Sequence, residues 1–62
     1  MSEVKIYCNG EEIDVHEFRF PEDAEYFFDT YPLDDTADHI ELWGNDPFGV
    51  YDIINERNAD PE

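Results

Sequence analysis

Apolar and polar residues alternate from Val4 to Val15, with Asn9-Gly10 in the middle of the run. Asn-Gly between alternating residues is the strongest short signature of a two-residue hairpin, because a type I′ turn needs positive φ at both central positions. With Asn9-Gly10 as the turn, Cys8 faces Glu11, Lys5 faces Asp14, Ile6 faces Ile13 and Val4 faces Val15. After Val15 the apolar positions change parity, to Phe18 and Phe20. A period-2 strand cannot do this without a bulge or a break, expected near His16-Glu17. From Pro21 to Tyr31 the period becomes helical. Ala24, Phe27, Phe28 and Tyr31 follow i, i+3, i+4, i+7 spacing, Pro21 suits the first helical position, and Glu22 and Asp23 suit the positive end of the helix dipole. Pro32 stops the helix. Alternation returns at His39–Trp43, with Ile40 and Leu42 on one side of a strand and His39, Glu41 and Trp43 on the other.

Residues 47–57 carry two signals. Asp46-Pro47 reads as an N-cap and first helical residue, and Pro47, Val50, Tyr51 and Ile54 keep helical spacing. Gly49 weakens a helix by ~1 kcal/mol relative to alanine, and Phe48-Gly49-Val50-Tyr51 also reads as a returning strand. The helix is the preferred assignment. The expected fold is therefore a single α+β domain over residues 1–57 in the order ββαβα, with an antiparallel sheet and a frayed tail at 58–62. Ile6, Ile13, Phe27, Phe28, Tyr31, Ile40 and Leu42 form the expected core.

Composition changes the picture from fold to surface. The 62 residues include 18 Asp and Glu against three Lys and Arg, for a formal charge of -15. Such charge with few apolar residues predicts disorder, but 40 % of this chain is hydrophobic and ten residues are Phe, Tyr or Trp. The expectation is a folded particle with an anionic surface. A chain this short buries only roughly 60 % of its unfolded surface, so most of the aromatics are needed as core. One cysteine, Cys8, allows no internal disulfide and favours a cytoplasmic setting. No apolar run approaches the ~20 residues of a membrane span, and the start Met-Ser-Glu-Val-Lys lacks the features of a signal peptide. The chain reads as soluble, intracellular and complete.

Candidate chemistry is sparse. Cys8, His16 and His39 lack zinc-site spacing, and no nucleophile–base arrangement follows from the sequence. Asp34, Asp35 and Asp38 crowd one loop, but the glycine and bidentate glutamate of a calcium-binding EF-hand are missing there. That loop reads as solvated acids. Close carboxylates arise by chance in so acidic a chain, and a domain this small has little room for a cleft, so catalysis, a cofactor, a metal and a small-molecule substrate are not expected. A basic patch is absent too, which excludes direct binding of nucleic acid, and an anionic surface repels anionic membranes.

The acids are distributed along the elements instead of forming a tail. Glu12 and Asp14 belong to the hairpin, Glu22, Glu25 and Asp29 to the outer face of the helix, and Asp34, Asp35, Asp38 and Glu41 follow. Helix positions i and i+4 stand ~6 Å apart axially, alternate strand positions ~6.6 Å, and duplex DNA presents one charge per ~1.7 Å of axis. Carboxylates so arranged approximate a patch of phosphates. In size, charge and aromatic-rich compactness the whole chain resembles the small acidic DNA-mimic inhibitors of phages and mobile elements, and most of all the anti-CRISPR proteins. No diagnostic motif carries that resemblance, and these inhibitors share no single fold. It implies a non-enzymatic protein acting in the host-cell cytoplasm, whose partner is a basic DNA-binding protein or complex, foremost a CRISPR surveillance complex kept from its target DNA. Glu22, Glu25, Asp29, Asp34, Asp35 and Asp38 are the expected partner-binding residues. Inhibition of a restriction enzyme or DNA glycosylase, a general acidic interaction domain, and adaptation to high salt are the alternatives.

Overall fold

A computed structural model describes residues 2–59. Four strands and one helix follow one another as β1 (Ser2–Cys8), β2 (Glu11–Phe18), α1 (Pro21–Thr30), β3 (His39–Asn45) and β4 (Tyr51–Asn58). The strands form one antiparallel sheet in the order β2-β1-β3-β4. The α+β class is as expected. The expected C-terminal helix is not: residues 51–58 are a strand.

The loop before β4 shows why. Asp46 does not cap a helix; its Oδ1 accepts hydrogen bonds from the backbone N–H groups of Phe48 and Val50, both at 2.9 Å. The Asp46 N–H donates to the Val50 carbonyl, also at 2.9 Å, and Gly49 takes φ +84°. These bonds close a turn that returns the chain along β3. Pairing with β3 satisfies a row of backbone groups that a helix here would leave exposed on that strand. Ile54 is the extra residue of a bulge, since Leu42 faces Asn55 while Trp43 faces Ile53.

The first hairpin turns at Asn9 and Gly10 as expected, with φ values of 54° and 81°. Cys8 pairs with Glu11, but the expected facing pairs beyond are displaced. Asp14 stands opposite Ile6, Val15 opposite Lys5 and His16 opposite Val4. The bulge inferred near His16-Glu17 falls instead at Ile13, and β2 runs on unbroken to Phe18. One extra residue there flips the parity of everything after it. His16 and Phe18 consequently turn toward the helix, where their rings lie 4.7 and 5.3 Å from that of Phe27. Ile13 is left half-exposed and outside the core to which its alternation assigned it.

Helix α1 covers one face of the sheet. Ala24 and Phe28 are fully buried against Val4, Ile6, Ile40 and Leu42, with Ala37 closing the loop side. Phe18, Phe27, Tyr31 and Leu33 pack around this cluster as partly buried neighbours. The last turn of α1 has no basic residue of its own. Arg57 reaches it from β4, donating from Nη1 to the carbonyls of Phe28 and Tyr31. Beyond β4 the Ala59 N–H donates to the Asp38 carbonyl at 2.8 Å. Of the expected frayed tail, Asn58 belongs to β4 and Ala59 is bonded, while residues 60–62 lie outside the described residues.

Candidate acidic interaction surface

Because α1 buries only the Ala24–Phe28 side, its other side faces water. Glu22, Glu25 and Asp29 are all exposed there, at axial steps of ~4.5 and ~6 Å set by the 1.5 Å rise per residue. The rotation of the helix places Tyr26 among them, and the residue is 73 % exposed. Periodicity sets Tyr26 apart from the buried Phe28 and the partly buried Phe27, so the helix phase alone could have placed it among the acids.

The 34–38 loop is organised by its acids, which divide into two kinds. Asp34 Oδ1 accepts from the N–H and the hydroxyl of Thr36, at 2.8 and 2.6 Å. Those bonds favour the charged form and hold the Asp34 carboxyl below its ordinary pKa. Asp38 Oδ2 accepts the Asn9 N–H at 3.1 Å, and the Asp38 N–H donates to the Tyr7 carbonyl at 3.0 Å, so the loop is tied to the first hairpin. The Cys8 thiol lies 3.6 Å from the Asp35 carbonyl as a further link. Asp35 is exposed, and its side chain makes no hydrogen bond among the described residues. Glu22, Glu25, Asp29 and Asp35 are thus free to meet a partner, whereas Asp34 and Asp38 also hold the loop.

The few cations near this surface are engaged by the fold. The three basic residues are Lys5, Arg19 and Arg57. Lys5 sits over the Trp43 ring at 4.3 Å from its centroid, Arg57 is engaged by the helix carbonyls, and Arg19 lies beside Phe20. No Lys or Arg occurs between Arg19 and Arg57, so the helix and the loop after it carry acids alone.

The opposite, uncovered face of the sheet carries a second set that the sequence reading left unassembled. Register across the four strands lines up Glu17–Glu3–Trp43–Ile53, then Val15–Lys5–Glu41–Glu56, then Glu12–Tyr7–His39–Asn58. Here aromatic groups interleave the acids. Trp43 and Tyr51 stack with centroids 5.7 Å apart, and the Tyr51 hydroxyl donates to the Glu3 carboxylate. Trp43 Nε1 donates to Glu41 Oε1 at 2.9 Å, and His39 Nε2 is hydrogen-bonded to Glu41 Oε2 at 3.0 Å. Burial alone would raise the Glu41 pKa, but the bonds from His39, Trp43 and Tyr7 outweigh it and the net shift is downward. Glu56 joins this set only once residues 51–58 are a strand, which is why helical spacing could not place it.

No protein-family model, curated protein or solved structure matches the chain. Among the described residues no helix is long and apolar enough to cross a membrane.

Proposed function

We propose that the protein is a non-enzymatic DNA mimic, which occupies the Lys and Arg groove of a DNA-binding target and so blocks target DNA. The observation that carries this reading is the helix-and-loop surface, where Glu22, Glu25, Asp29 and Asp35 stand exposed on hydrogen-bonded backbone that contributes no Lys or Arg of its own, Arg57 being held by the helix carbonyls at its edge. A rigid array loses less entropy on docking than a disordered acidic tail, and its field speeds encounter with a basic groove. Asp34 and Asp38 contribute charge at the loop end while maintaining its shape.

Length and charge support the same reading. The particle is 37 Å long and 19 by 18 Å across. Asp60 and Glu62 fall outside the described residues, which leaves 16 acids against three bases, or -13. That is one net charge per roughly 3 Å of length, between the ~1.7 Å of duplex DNA and the ~3.4 Å of one strand. The target named by resemblance is a CRISPR surveillance complex, reached in the cytoplasm of the host cell. A restriction enzyme or DNA glycosylase presents the same kind of groove.

Competition measures this directly. Purified surveillance complex, restriction enzyme and glycosylase are each titrated with the protein in the presence of labelled target DNA. Displacement of DNA from one of them, relieved by excess DNA and weakened by salt, is the expected result. The triple variant Glu25→Lys, Asp29→Lys, Asp35→Lys should lose displacement while keeping its circular dichroism. Full potency in that variant would move the binding surface elsewhere, and no displacement from any of the three targets would remove the mimic reading.

A further inference from the structure

We propose that His39, Glu41 and Glu56 form a binding site for one Zn2+ ion on the uncovered face of the sheet. This site lies across the sheet from α1 and does not depend on DNA mimicry. His39 and Glu41 are two positions apart on β3 and therefore share a face, and Glu56 stands directly opposite Glu41 on β4. One ligand atom from each of the three lies within 4.8 Å of the other two. Zinc takes imidazole nitrogen and carboxylate oxygen at ~2.0–2.2 Å, so neighbouring donors on a tetrahedral ion stand about 3.4 Å apart. His39 Nε2 and Glu41 Oε2, at 3.0 Å, are close to that spacing already. Glu56 is exposed and its carboxylate makes no hydrogen bond among the described residues, so it is free to swing inward by about the ångström required.

The groups behind these donors have the arrangement a metal site needs. His39 Nδ1 is hydrogen-bonded to Asn58 Oδ1 at 2.6 Å, which orients the ring and leaves Nε2 aimed at the carboxylates. Glu41 Oε1 is held by the Trp43 indole N–H at 2.9 Å, and Zn2+ would take the place of the proton between Glu41 Oε2 and His39 Nε2, released on binding. Outer partners of this kind fix metal ligands in place. Charge points the same way. Glu41 and Glu56 are like charges directly opposite one another, a destabilising cross-strand pair that a cation between them would relieve. Lys5, the neighbour of Glu41 on β1, lies over the Trp43 ring. The imidazole distinguishes this cluster from the other acids on the surface. One nitrogen and two carboxylate donors suit zinc, whereas calcium and magnesium take oxygen alone. Three protein ligands leave the fourth position of the ion to water.

The test is calorimetric titration of the full chain with ZnCl2 in excess CaCl2, which occupies non-selective carboxylate sites, followed residue by residue with amide NMR. One equivalent of Zn2+ should bind, with the largest shifts at residues 39–43 and 55–58. His39→Gln and Glu56→Gln should each weaken binding at least tenfold, while Glu25→Gln, His16→Gln and Cys8→Ser leave it unchanged. Glu56 is exposed, so its variant keeps the test open even where His39→Gln loses its fold. Absence of saturable binding over Ca2+ would overturn the site. So would undiminished affinity in a folded Glu56→Gln or His39→Gln chain, or loss of binding in His16→Gln or Cys8→Ser.

Discussion

In a chain so short of cations, the few present are engaged in the fold. Arg57 is the clearest case, since its guanidinium closes the carbonyl end of α1 from a strand two elements away. Charged donors at a helix C-terminus satisfy unpaired carbonyls and oppose the negative end of the dipole. Arg57→Met keeps much of the stem packing and removes both bonds. It should cost about 1.5–3 kcal/mol, the usual range for a hydrogen bond to a charged group, read from urea unfolding. Tyr51 makes a second residue-level test. Burial first, then the hydrogen bond to Glu3 and the charges of Glu3 and Glu17, push its phenol up to about 12. A folded-state pKa above the unfolded value favours the neutral phenol. This contribution to stability is complete below the ordinary tyrosine pKa near 10 and disappears as pH rises through about 12. Absorbance at alkaline pH should show a late-titrating tyrosine that is lost in Tyr51→Phe, while Tyr7, whose phenol is also raised by burial and by the hydrogen bond to Glu41, keeps its own upward shift in that variant.

At the scale of elements, the parts legible in the sequence are those whose local signals agree with their packing. The Asn9-Gly10 turn, the Ala24–Phe28 face of α1 and the inward Ile40 and Leu42 of β3 all follow from turn chemistry and period. Two features turned on tertiary gains instead. The parity change from Val15 to Phe18 was visible, yet nothing local said that the extra residue was Ile13. The bulge goes there because it brings both His16 and Phe18 to the Phe27 ring. Residues 47–57 carry a helical period, but the free edge of β3 and the Asp46 turn make a strand of residues 51–58. The acids of α1 were readable as an exposed set from the helix phase, whereas the His39–Glu41–Glu56 cluster needed the β3–β4 register. A pair of truncations checks this reading of the elements. Phe28→Ala removes a fully buried ring and should cost ~3–5 kcal/mol. Ile13→Ala, at a half-exposed bulge position, should cost under ~1 kcal/mol. Comparable losses at both sites would restore Ile13 to the core and remove the bulge.

For the whole molecule, salt acts on folding and on binding with opposite signs. The formal charge of -15 repels itself across a particle only 37 Å long, which lowers the stability of the compact state. Added salt screens that repulsion, and by physiological strength the screening length is already ~8 Å, well inside the particle. Stability should therefore rise steeply from low salt and flatten near physiological strength, whereas a domain adapted to high salt would go on gaining into the molar range. Affinity for a basic groove should fall over the same interval, since the same screening weakens attraction. The triple reversal at Glu25, Asp29 and Asp35 links the two effects. Each reversal changes the charge by two, taking -15 to -9. That variant should unfold at higher urea than the parent in low salt, converge with it as salt is added, and bind the target weakly throughout. Urea midpoints at several KCl concentrations, measured beside target binding in the same buffers, provide the comparison. A triple variant less stable than the parent at every salt would show that those carboxylates serve the fold, and would shift the interaction surface to acids elsewhere on the molecule.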